Sequence, residues 1–218
     1  MTWDWEFAWE ALPVVLDGLL VTFQATVLGS IVAYALGLVF ALMRRSPIRV
    51  VSTATWLLIE FIRSTPLLVQ LFFLFFVLPG FGVTLSPLVA GVIGLGLHYA
   101  CYTAEVYRAG IEGVPPGQWE AATALSLPRS RTWSGIILPQ AIPRVLPALG
   151  NYTISMFKET PLLFAIGLPD IVGEAFEFAS LNFRYVEPIT IAGILFLLLS
   201  YPSSLIVRYL ERRFGLTH

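Results

Sequence analysis

"EAATALSLPRSRTWSGIILP", residues 120–139, lies in the longest polar segment of a chain otherwise dominated by apolar runs. The segment extends from Gly113 to Pro147, and its punctuation is too orderly for a plain connector. Pro115 and Pro116 suit the first turn of a helix, where the missing N–H has no intrahelical partner to lose. Gln118 to Leu125 are good helix formers, with Ala121, Ala122 and Ala124 as a small-residue face. Ser126 and Pro128 end that helix, and a second short helix is predicted from Arg129 until Pro139 and Pro143 interrupt it. Such a pair makes a docking element: alanines permit close approach, and Glu120 can pair with a cation on a partner.

The chain around this segment belongs in a bilayer. Of 218 residues, 57% are hydrophobic and only 12% charged, about half the charge of a soluble domain and more apolar surface than one core can hide. Apolar stretches run from Gly18 to Met43, Trp56 to Leu78, Pro87 to Ala109, Val145 to Leu168 and Pro188 to Val207. Each is near the ~20 residues needed to cross ~30 Å of hydrocarbon. The expected fold is therefore all-α, an integral membrane protein with five transmembrane helices. Lys158, Glu159 and Pro161 interrupt the fourth stretch, and four clean spans with a re-entrant segment are the alternative. A net charge of −1 suggests no nucleic acid or other polyanionic partner, and the lone Cys101 supports no disulfide framework. The acidic, aromatic N-terminus lacks the basic region and cleavage site of a signal peptide, and is read as mature protein.

Positive charge sets the orientation. Arg44, Arg45 and Arg49 follow the first stretch, Arg108, Arg129, Arg131 and Arg144 surround the polar segment, and Arg208, Arg212 and Arg213 follow the fifth. The positive-inside rule makes that side cytoplasmic, with the N-terminus out and the C-terminus in. The other side holds Asp4, Glu6, Glu10, Asp170, Glu174, Glu177 and Glu187, opposed by Arg184. Trp3, Trp5 and Trp9 suit the headgroup layer. The amphipathic "DIVGEAFEFASLNFRY" (170–185) either lies along the outer surface or forms a solvated loop.

The polar segment resembles the EAA loop of ABC importer permeases, through Glu120, Ala121 and Ala122 and the closing Ile137, Leu138 and Pro139. Ser126 stands where the family has a glycine, a residue that permits a left-handed turn. The stretches "GLLVTFQATVLGSIVAYALGLVFAL" (18–42), "EFIRSTPLLVQLFFLFFVLP" (60–79), "YTAEVYRAGIEGVPPGQWEAA" (102–122) and "LGNYTISMFKETPLLFAIGLPDI" (149–171) are similar, in order, to the polar amino acid uptake permeases. The opening "TWDWEFAWEALPVVLDGL" (2–19) most resembles permeases for ectoine and hydroxyectoine. The resemblance implies a type I ABC importer permease fold, one transmembrane permease domain over residues 1–218 with a coupling loop at about 113–144. It also implies a second permease chain, identical or different, cytoplasmic subunits that bind ATP and Mg, an extracytoplasmic solute-binding protein, and a place among the lipids of a bacterial inner membrane. No cofactor or enzymatic activity of its own is expected. The residues independently support that division of labour. A phosphate-cradling Walker A loop needs G-x-x-x-x-G-K-[ST], whereas the only lysine, Lys158, follows Met156 and Phe157 and precedes Glu159.

Two near-copies, "RSTPLL" (63–68) and "KETPLL" (158–163), place charge beside proline inside apolar surroundings. A charge in a span costs ~2.5–3.5 kcal/mol on insertion scales, so such groups face a cavity or a partner. Lys158 and Glu159 point ~100° apart and should look toward different neighbours. Glu60 and Arg63 share a helix face and can pair, and the prolines release carbonyls that a cavity can use. Glu60, Arg63, Thr65, Asn151, Ser155, Lys158, Glu159 and Thr160 are the candidate lining of a translocation pathway or gate, offering a zwitterionic solute both signs of charge. An interhelical network that locks or gates two permease chains is the competing reading. His98 and Cys101 make a poor metal site, and a satisfied interhelical histidine is expected. Glu105 either joins the pathway or approaches the inner interface. The small residues of "GVIGLG" (91–96) permit close packing. An ion-coupled secondary transporter of a small zwitterion would need more helices in internal repeats. A membrane enzyme would need a base near Ser155.

Overall fold

The structure, a computed structural model, describes residues 3–213, which form helices joined by short connections. Helix α1 (Trp5–Arg44) starts where the Asp4 carboxylate accepts the backbone N–H groups of Glu6 and Phe7. Its 40 residues make it about 60 Å long. Gly29, Ala33 and Gly37, spaced one turn apart, let α4 (Pro87–Glu112) approach closely. A Cβ on Gly37 would run into Thr103, whose hydroxyl donates to the Ala33 carbonyl at 2.9 Å across the seam. On α4, Gly91, Gly94 and Gly96 receive Leu163, Leu71 and Val32. Lipid tails are as apolar as leucine, so close packing of this kind, rather than hydrophobic expulsion, holds the helices together.

The second apolar stretch does not form the continuous span expected over Trp56–Leu78. Helix α2 (Arg49–Arg63) stops, and α3 (Leu67–Phe72), which continues in wider and then tighter turns to Phe81, leaves at a bend of 102°. Pro66 causes the break: its ring excludes the preceding residue from helical conformation, and it lacks the N–H that would continue the ladder.

The polar segment over 113–147 departs from expectation in the opposite direction. After α5 (Pro116–Ala124), α6 (Arg129–Thr132) passes through a wide turn at Trp133–Ile137 into α7 (Leu138–Glu159). Pro139 and Pro143 do not interrupt this helix. A wide i→i+5 turn carries the Gly135 carbonyl away from the Pro139 ring, removing the clash that ordinarily breaks a helix there. The chain then tightens over Thr160–Ile166 and turns at Gly167, whose φ is 76°.

Helix α8 (Ile171–Leu181) fills the stretch that was open between surface helix and loop. Ile171, Ala175 and Ala179 are fully buried, and Gly18 lets α1 touch its start: a Cβ there would lie 2.5 Å from the Asp170 backbone. Among the described residues, α1, α4 and α9 (Val186–Arg213) have the length and composition to cross a membrane, and the bent α2–α3 pair is a fourth span if counted as one. Helix α7, which carries Arg144, Asn151, Lys158 and Glu159, is not among them, so the expected set of five apolar spans is not reproduced.

Candidate functional site

Both Thr-Pro-Leu-Leu turns meet inside the bundle, where Leu67, Leu71, Leu163 and Ile166 share one buried cluster. Beside it, α4 and α7 bring three tyrosines together. The Tyr102 and Tyr152 rings are 5.7 Å apart, and Tyr99 is 5.9 Å from Tyr152. Their spacing explains the wall: Tyr99 and Tyr102 lie three residues apart on one face of α4. The Arg63 guanidinium sits 5.2 Å from the centroid of the Tyr102 ring and is tied to Glu60 by a 3.3 Å ion pair. From the other side Glu159 lies next to Tyr99, with one carboxylate oxygen fully buried and without a hydrogen-bond partner among the described residues. Thus Arg63, Glu60 and Glu159 flank an aromatic surface, a combination suited to an ammonium group and a carboxylate together.

The remaining candidates separate. Lys158 is exposed and belongs to none of the ion pairs among the described residues, looking away from Glu159 as the helical step requires. Ser155 is half-buried between Tyr152 and Glu159. Asn151 instead reaches α9, donating to Glu211 Oε1 at 3.4 Å. Thr160 is fully buried, and its hydroxyl donates to Asp170 Oδ2 at 3.0 Å. In this conformation it holds the turn to α8 and faces no open space. Thr65 likewise serves the break, donating to the Ile62 carbonyl at 3.0 Å. Glu105 pairs with Arg108 at 2.7 Å, and Arg108 also reaches Glu112.

Sequence reasoning missed Gln70. Its Nε2 lies 2.8 Å from the Ile62 carbonyl, 3.0 Å from the Thr65 carbonyl and 2.8 Å from Thr65 Oγ1. The carbonyls freed at Pro66, expected to serve a cavity, are therefore occupied by this side chain. Oε1 then faces His98 Nδ1 at 3.3 Å, which must be the protonated ring nitrogen, because a carbonyl oxygen only accepts. His98 is thus an interhelical histidine, and no group of three metal-ligating side chains comes together among the described residues. The available signal was a lone amide four residues beyond a proline in an apolar run.

In the coupling loop, Glu120 and Ala121 are exposed, Ala122 is buried, and the turn between α5 and α6 is made by Ser126 at φ 52°. The serine adopts the left-handed conformation that a glycine would take there. Ile137 is fully buried with Ile111, Val114 and Ala141, while Leu138 and Pro139 are exposed. Trp119 and Trp133 meet edge to face at 5.3 Å above that cluster.

The chain belongs to the family of binding-protein-dependent transport system inner membrane components, whose profile matches residues 33–216. It is 44% identical over 215 residues to the "Probable amino-acid ABC transporter permease protein y4tG" of Sinorhizobium fredii, covering 96% of this chain and 93% of that one. It is 33% identical over 215 residues to the glutamine transport system permease protein GlnP of Escherichia coli, covering 98% of each. Among solved structures it resembles one described as "Crystal structure of an amino acid ABC transporter with histidines", with a TM-score of 0.92, 37% identity, and coverage of 98% of this chain and 100% of that one. A methionine ABC transporter, MetNI, shares the fold at a TM-score of 0.72 and 18% identity, over 97% of this chain and 99% of that one. The chain is a permease subunit of type I ABC importer fold and not an enzyme. Its family implies a solute-binding protein and a separate ATPase, which holds the ATP.

Proposed function

We propose that this chain, as one transmembrane domain over residues 1–218, forms half of the pathway of a bacterial inner-membrane importer for a polar amino acid or a similar zwitterion. Five crossings are assigned to α1, the bent α2–α3 pair, α4, α6–α7 and α9, with the N-terminus outside. The arginines after α1, around α5 and α6 and at the end of α9 support that direction. A second permease chain, two ATPase subunits docked on the Glu120 loop and an extracytoplasmic binding protein complete the machine. One observation carries the solute class: Glu159, half-buried and with one carboxylate oxygen fully buried, lies beside Tyr99 in the tyrosine wall that Arg63 flanks. Ionisable side chains within membrane bundles mark functional sites by default. The named relatives for glutamine and arginine support the same class. Ectoine or hydroxyectoine is the narrower form of the proposal and is supported by the resemblance of residues 2–19.

The test is reconstitution of the complete complex with its binding protein in liposomes. Glu159→Gln should lower solute-stimulated ATP hydrolysis and uptake roughly tenfold, the worth of about 1.4 kcal/mol, with all subunits still assembled. Failure of the variant to assemble would make Glu159 a packing group. Undiminished uptake would remove it from the pathway.

A further inference from the structure

Between the two arms of the coupling loop lies an open pocket of about 540 Å³. Trp119 and Trp133 wall it, Thr123, Ser126 and Thr132 place hydroxyls around it, and Arg129 stands at its edge. No carboxylate lines it, and Arg129, which is exposed, belongs to none of the ion pairs among the described residues. The tryptophan wall is anchored to the bundle twice. Trp119 and Trp133 rest on the buried Ile111–Val114–Ile137–Ala141 cluster, and Arg45 at the end of α1 sits 5.8 Å from the Trp133 centroid. The Thr123 and Thr132 hydroxyls donate to the Trp119 and Pro128 carbonyls, which leaves the Arg129 guanidinium as the charged donor of this socket.

We propose that the pocket receives an aspartate or glutamate side chain of the ATPase subunit, which pairs with Arg129. The proposal rests on the docking role given above to the coupling loop. Trp119 and Thr123, one turn apart on α5, line the pocket with Ser126 of the turn beyond, whereas Glu120 is turned ~100° from Trp119. The loop therefore presents two handles of opposite sign, Glu120 for a cation and the Arg129 pocket for an anion. Two opposite charges on different faces specify one docking orientation, where a single charge would allow several. The guanidinium fork matches a carboxylate in two parallel hydrogen bonds. The socket is lined by α5 and the start of the α6–α7 helix, and Arg45 at the end of α1 sits over its Trp133 wall, so a carboxylate seated there would pull on both arms of the loop when the ATPases close.

The chain's single lysine makes a direct test possible. In the complete complex carrying Arg129→Lys, a water-soluble carbodiimide should join position 129 to an ATPase carboxylate through an amide, giving a permease–ATPase adduct that peptide mapping assigns to that position. The unsubstituted permease chain, whose only lysine is Lys158 in the bundle, should give no adduct at position 129. In parallel, Arg129→Glu should lower the ATPase recovered with the tagged permease roughly tenfold at physiological salt. Normal recovery of the ATPase with Arg129→Lys, but no adduct at position 129, overturns the proposal and leaves docking intact. So does full recovery with Arg129→Glu while Glu120→Arg loses the ATPase. If Glu120→Arg also retains the ATPase, the docking role of the loop itself falls.

Discussion

Gln70 offers the sharpest test of how the broken helix is held. Gln70→Met keeps the volume and removes both polar ends. The Ile62 carbonyl would still have the Thr65 N–H and the Thr65 hydroxyl as donors. The Thr65 carbonyl, by contrast, has Gln70 as its only hydrogen-bond partner among the described residues. Orphaning a buried carbonyl costs about 1–3 kcal/mol, and losing the bond to His98 adds about 0.6, the mean measured for interhelical bonds in membranes. The sum, about 1.6–3.6 kcal/mol, is a roughly 15- to 400-fold shift toward the opened break. Purified complex heated in detergent and assayed by size-exclusion chromatography should lose its monodisperse peak at a clearly lower temperature. The double variant with His98→Phe should be less damaged than the two single effects summed, because the shared bond is counted once. An unchanged midpoint for Gln70→Met, or strict additivity with His98→Phe, would refute the account.

At the coupling turn, Ser126→Gly should stabilise the complex by roughly 1 kcal/mol, the cost of holding a side chain in the left-handed region, and Ser126→Val should lower its melting midpoint. At the outer face, the Arg184 hydrogen bond, reinforced by the Phe7 and Glu6 N–H groups, holds the Asp4 carboxyl below its ordinary range. A depressed carboxyl stabilises the fold above its unfolded value, near pH 4, and loses that contribution as pH falls through its folded one. Asp4→Asn should therefore lower thermal stability more at pH 7 than at pH 3. An equal difference at both pH values would contradict this assignment.

Elements written in local composition were legible from the chain alone. Hydropathy put it in the bilayer, the "GVIGLG" run marked a close seam, and Glu60 and Arg63 were paired by their spacing. The alanines, prolines and Glu120 outlined the docking loop. Proline was the unreliable sign. Pro66 broke a helix where an unbroken apolar run had suggested a span, while Pro139 was carried through by a wide turn that no residue pattern announced, and Pro143 sits within the helix that follows. Whether a proline breaks a helix depends on where the preceding carbonyl can go, and that is a matter of three-dimensional packing.

The candidate site divides along the same line. Residue type and the energy of charge in lipid were enough to single out Arg63, Lys158 and Glu159 as groups needing partners or a cavity. Which of them share a wall depended on how α2, α4 and α7 cross. Tyr99 and Tyr102 lie some fifty residues from Tyr152 in the chain and are adjacent only in the fold. Gln70 and His98, 28 residues apart, likewise become partners only when the break at Pro66 turns α3 toward α4. Local spacing reports which side chains share a face of one helix. Contacts between helices depend on how closely those faces approach, and here the glycines of α1 and α4 set that distance.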